Sequence, residues 1–134
     1  MKRLGLMLLI LLSCADAAEY GVITNPQSGI DRIDPRQLRD LFLQKRRFIG
    51  TQKAIPVNLL ADNMARIAFE SEVLKMNRDT LNGYWIKQHF QGIVPPVTQS
   101  SFASVKLFVR NVEGAIGYIP LELVDKDVKV LYEF

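Results

Sequence analysis

Strand-like and helix-like stretches alternate along this chain from Tyr20 to Tyr132, and that alternation constrains the fold more than any other feature. Tyr20–Thr24 is apolar and rich in β-branched residues and stops at Asn25-Pro26, so it reads as a strand and a turn. Asp34-Pro35 is a helix start, with Leu38, Leu41 and Phe42 on one face. Ala54–Leu59 reads as a second strand, in which Pro56 marks either an edge or a strand start. Asp62 is the expected cap of the next helix. Ala65, Phe69, Val73 and Met76 form its core stripe, and Glu70, Glu72 and Lys75 lie off it. Asp79 is the expected cap of a third helix with Leu81, Trp85 and Phe90 inward, closed by Gly92 and followed by an extended Pro95-Pro96. Ser100 or Ser101 caps a short helix carrying Phe102, Val105 and Phe108 or Val109. Gly114-Ala115-Ile116-Gly117-Tyr118-Ile119 reads as a buried strand whose glycines admit a close backbone neighbour, and Val128–Tyr132 as the last strand. Strands alternating with helices predict an α/β layered fold with a mostly parallel sheet.

The amino terminus has a separate character. Met1-Lys2-Arg3 is positive, Leu4–Leu12 is apolar, and Ala15-Asp16-Ala17 supplies small residues around a cleavage point. That order is the signature of a secretory signal peptide, and the apolar run is shorter than the roughly 20 residues a bilayer span needs. The expectation is an exported, periplasmic chain: residues 1–17 a leader, residues 18–134 one domain. Cleavage after Ala17 needs no exception to the small-residue rule. Leu11-Leu12-Ser13-Cys14 also resembles a lipoprotein box, and acylation of Cys14 would tie the protein to a membrane. Cys14 is the one cysteine, so the domain itself can form no internal disulfide and no thiolate zinc site.

Loss of Lys2, Arg3 and Asp16 with the leader takes 17 basic and 14 acidic residues to 15 and 13. A net charge this small is not the field of a nucleic-acid binder, and Lys45-Arg46-Arg47 reads as a solvated loop after a helix. His89, the one histidine, has no carboxylate at ligand spacing and reads as structural or surface. Tyr84, Trp85 and Phe90 read as helix packing rather than an aromatic platform. There is no Gly-rich phosphate loop, paired-carboxylate motif, metal-ligand cluster or nucleophile elbow. No catalytic residue, metal or cofactor is therefore assigned.

Four segments, in order, resemble the second lobe of periplasmic phosphate-binding proteins, the solute receptors of ABC uptake systems. They are Leu38-Arg39-Asp40-Leu41-Phe42-Leu43-Gln44-Lys45; Arg66-Ile67-Ala68-Phe69 leading to Val73-Leu74; Tyr84-Trp85 with Phe90-Gln91-Gly92 and the proline pair; and Val112-Glu113-Gly114-Ala115-Ile116-Gly117-Tyr118. The resemblance implies one lobe of a type 2 periplasmic binding fold, a mixed, mostly parallel sheet flanked by helices. Length sets this chain apart, because a full receptor of that family has two lobes with the ligand between them.

The resemblance also locates a candidate anion site and implies that it is degenerate. The family places Ser-Gly-Thr at the helix start, with an Arg four residues before the Ser. Here Asn63-Met64-Ala65 occupies the triplet and Leu59 the Arg position, with Asp62 at the mouth and Arg66 following. Both hydroxyls and the guanidinium are gone, and a carboxylate there repels an anion. Ser100 and Ser101 are a second candidate, although simple capping explains them equally well. The expected function is a non-catalytic binding module that recognises an envelope protein partner or a small solute. The alternative is a genuine phosphate or oxyanion receptor component acting as a dimer or with another lobe.

Overall fold

The computed structural model describes residues 17–134. The leader segments Met1–Arg3 and Leu4–Leu12, Cys14 and Ala15-Asp16 lie outside the described residues.

The elements in chain order are β1 (Tyr20–Thr24), α1 (Pro35–Phe42), β2 (Phe48–Ile49), β3 (Gln52–Lys53), β4 (Ile55–Leu59), α2 (Met64–Phe69), a π-helical turn (Glu70–Leu74), α3 (Arg78–His89), β5 (Val97–Gln99), α4 (Phe102–Asn111), β6 (Ala115–Pro120) and β7 (Lys129–Glu133). Five strands form one sheet in the order β5-β4-β6-β1-β7. β4 runs parallel to β5 and β6, while β1 is antiparallel to both β6 and β7. Four strands thus share one direction, so the sheet is mostly parallel, as the alternation predicts, and antiparallel β1 makes it mixed, as the resemblance implies. β2 and β3 pair separately as a small hairpin.

Local chemistry explains most boundaries. The Asp34 carboxylate accepts the Gln37 amide at 2.8 Å and the Gln37 side chain accepts the Asp34 amide at 3.2 Å, a complete capping box before Pro35. Gly114 sits at φ +77°, and a Cβ there would meet the Lys53 carbonyl oxygen at 2.0 Å. Only glycine lets the chain entering β6 pass so close to β3. At Gly117 a Cβ would stand 2.7 Å from Val105 Cγ1, so its absence lets α4 lie close on β6. Leu38, Leu41, Phe42, Phe69, Val105, Val109, Ile116 and Tyr118 form the middle of the core.

Several expectations shift. Pro56 lies in the interior strand β4, near its start, so the edge reading fails and the strand-start reading stands. Asn63, not Asp62, caps α2, because the Leu60–Asn63 turn carries the chain one residue further before it enters the helix. Asn77, not Asp79, caps α3. Lys75 at φ +54° ends the π-helical turn, and the chain re-enters extended geometry at Asn77, whose side chain accepts the Thr80 amide at 2.8 Å. Phe90 is 84% exposed rather than inward. It follows Leu81 by nine residues, half a revolution out of phase at 3.6 residues per turn. Glu70 is buried rather than off the core face. The loop containing Lys45-Arg46-Arg47 runs straight into the β2–β3 hairpin.

Candidate functional site

β4 and β5 end side by side, with Leu59 paired to Gln99. The turn holding Asp62 and Asn63 and the turn holding Ser100 and Ser101 therefore leave the same edge of the sheet. That arrangement brings the two sequence-derived candidate groups to one end of adjacent parallel strands, the usual place for a ligand in an α/β sheet.

The side chains there serve local ends. The Asn63 side chain accepts the Ala65 amide at 2.9 Å. Ser101 caps α4, its Oγ accepting the Ser104 amide at 3.0 Å, and it also donates to the Ser104 hydroxyl at 2.8 Å. Ser100 is not the cap. Asp62 and Met64 are exposed, whereas Ala65 and Leu59 are fully enclosed.

Arg66 does not face solvent. Its Nη1 donates to the Leu59 carbonyl at 2.8 Å, and its Nε lies 3.8 Å from Glu70 Oε2. Arg78 reaches the same carboxylate from the start of α3. Its Nη2 donates to Glu70 Oε1 at 2.6 Å and to the Ala61 carbonyl at 2.8 Å. Two guanidiniums thus clamp the strand-end loop by its carbonyls, and one buried carboxylate joins them. Glu70 Oε2 and Arg66 Nε have no hydrogen-bond partner within the described residues. Beneath them the Tyr118 hydroxyl donates to Asn58 Oδ1, which also accepts the Leu59 amide at 3.1 Å. Burial pushes the Tyr118 phenol far above its ordinary range. The Leu59 backbone and Arg66 act in the opposite sense, and Glu70 adds to the rise.

An anion at the end of a strand is normally held by free amides and an uncommitted cation. Here the loop turns carbonyls inward, both cations are engaged, and Asp62 stands at the mouth. Alongside, a cleft of about 1040 Å³ is lined by Ile67, Glu70, Glu72, Lys75, Arg78 and Phe134 among others, with both signs of charge on its walls. Among the described residues no group of three or more His, Cys, Asp and Glu side chains could hold a metal ion.

Sequence reasoning missed Glu70 and Arg78. The spacing of Arg66 and Glu70, four residues apart on a helix, was a readable signal. Nothing local signalled Arg78, which comes from a different helix.

Comparison with known proteins recovers the fold. No family model matches the sequence, and no curated protein matches it. Among solved structures, the chain is similar to an ABC-type phosphate transport receptor from Vibrio cholerae, with a TM-score of 0.67 and 18% identity over 85% of this chain and 45% of that one. It is similar to a putative phosphate ABC transporter substrate-binding protein from Clostridium perfringens, solved with bound phosphate, with a TM-score of 0.68 and 19% identity over 85% and 44%. PstS from Borrelia burgdorferi gives a TM-score of 0.64 and 14% identity over 85% and 46%. The fold is thus that of a periplasmic-binding-protein lobe, and the chain spans less than half the length of these receptors.

Proposed function

We propose that the chain is an exported, non-catalytic binding module of the periplasmic-binding-protein type in which the family's phosphate site is degenerate, and that it recognises a protein partner in the cell envelope. The observation that carries this reading is the Glu70 carboxylate lying between Arg66 and Arg78. It occupies the cations that an anion would need, and removing an ion from water is repaid only by committed partners. Asn63, Met64 and Ala65 supply none of the hydroxyls implied for the site. Isothermal titration of the processed protein with phosphate tests this, and no heat of binding is expected. Micromolar binding by the monomer would overturn it. Export is tested by intact mass of the native protein. Processing to Ala18 is expected, and a diacylglycerol adduct on Cys14 would establish the lipoprotein route instead.

The likeness to phosphate receptors, one solved with phosphate bound, favours a second reading. On that reading the chain is an oxyanion receptor component of an ABC uptake system, completing its cleft with a second copy or another lobe. Phosphate binding that appears only with dimerisation would select it. Neighbouring permease and ATPase genes would favour it as well, whereas adjacent sensor or cyclase genes would favour signalling.

A further inference from the structure

The small net charge conceals a segregated one. Residues 41–61 and 80–112 contain no Asp or Glu, yet carry Lys45, Arg46, Arg47, Lys53, Lys87, Lys106 and Arg110. The fold brings parts of both stretches together at the start of β4, the opposite end of that strand from Leu59. A depression of about 290 Å³ lies there, lined by Arg47 and Lys53 from the hairpin arms, by Ala54–Pro56, and by Gly92, Ile93 and Val94 from the segment after α3.

The cations of this depression are uncompensated. Neither Arg47 nor Lys53 joins any ion pair among the described residues, and Arg46 Nε is buried without a hydrogen-bond partner. Lys45 is otherwise engaged, its Nζ 5.7 Å from the centre of the Tyr84 ring. Neither Asp40 nor Glu113, which precedes the Gly114 that packs against the Lys53 backbone, joins an ion pair among the described residues.

Apolar side chains project beside these cations. Phe48 is paired across the hairpin with Lys53, so the two share one face, while Ile49 turns into the core. Phe48 is 51% exposed and Val94 65%. An aromatic and an aliphatic side chain protruding beside cations that join no ion pair among the described residues match the two layers of an anionic bilayer surface. The apolar tips suit the headgroup–acyl boundary, and the cations suit the phosphates.

We propose that this face, centred on Arg47, Phe48, Lys53 and Val94, docks on an anionic phospholipid surface, a contact that needs no acyl chain on Cys14. The test is co-sedimentation of the processed protein with vesicles of phosphatidylcholine alone and of phosphatidylcholine mixed with phosphatidylglycerol. Binding to the mixed vesicles only, weakened by added salt, is expected. Arg47→Gln and Lys53→Gln should each lower partitioning about fivefold, the value of one interfacial charge, and Phe48→Ser should lower it as well. Lys126→Gln, which removes the same charge from an exposed loop elsewhere, should leave it unchanged. Equal binding to both vesicle types, or equal losses from Lys126→Gln and Lys53→Gln, would overturn the proposal. So would retention on immobilised polyglutamate without vesicle binding, which would assign the face to an acidic protein partner.

Discussion

Phe69 and Tyr118 stack face to face in the core, their ring centroids 4.4 Å apart and their planes 3° from parallel. The pair joins α2 to β6, and Phe42 and Phe134 close around it with centroids 4.6 and 5.5 Å from Phe69. Phe69→Ala is expected to cost about 3–5 kcal/mol in urea unfolding, since it empties a fully buried ring site and removes aromatic contacts on three sides. A loss below about 1 kcal/mol would mean that the α2 stripe does not face the core.

The same tyrosine makes stability depend on alkaline pH. Burial holds its folded-state pKa above the ordinary value of about 10. Between those two values the folded state keeps a proton that the unfolded chain has lost, so stability is complete below about pH 10 and falls as pH rises further. Each pH unit in that window removes about 1.4 kcal/mol. Tyr118→Phe should lose about 1 kcal/mol at neutral pH with the Asn58 hydrogen bond, yet flatten this part of the alkaline decline. Unfolding curves of both proteins from neutral pH to above pH 10 supply the comparison.

Arg78→Ala removes the short contact to Glu70 and the hydrogen bond to the Ala61 carbonyl together. Because Glu70 is buried and Arg78 is partly exposed, the expected loss is about 1–3 kcal/mol. A double-mutant cycle with Glu70→Gln should show coupling above about 0.5 kcal/mol. Arg78→Lys should recover less than half of the loss, because Nη2 makes both contacts and the shorter lysine side chain does not bring its ammonium to the same point. Additive effects in the cycle would show that the clamp contributes nothing as a unit.

Gly114→Ala tests the approach of β3 to β6. A methyl group at φ +77° is strained, and the Lys53 carbonyl stands 2.0 Å from its position. A loss of at least about 2 kcal/mol is expected in thermal or urea unfolding. Gly92→Ala is the control. Its φ is +74°, but nothing lies within 4 Å of the added methyl, so its cost should be confined to backbone strain and be clearly smaller.

The local layer of the fold was legible along the chain. Asp34-Pro35 announced α1 because a capping box and a proline at the first turn act over three or four residues. The Ala65–Phe69–Val73 stripe and the Gly114–Ile119 strand were readable because burial imposes its period on neighbouring residues. The caps at Asn63 and Asn77 were misassigned by one or two positions. A turn that takes one more residue, or a Lys75 in left-handed geometry, shifts a boundary without changing the residue types that mark it.

What the sequence by itself determined was the alternation of strands and helices, a mostly parallel sheet, and most of the residues that make its core, though not the exposure of Phe90 or the burial of Glu70. Tertiary structure alone decided the character of the strand-end site. Arg66 and Glu70 are neighbours on one helix, but their commitment depends on Arg78, eight residues beyond Glu70 and on another helix, and on carbonyls of the loop after β4. Likewise, Arg47 and Val94 lie far apart in the chain and line one depression because β4 lies beside β5 in the sheet. Periodicity reports which way a side chain points from its own element. What it meets there depends on how separate elements pack.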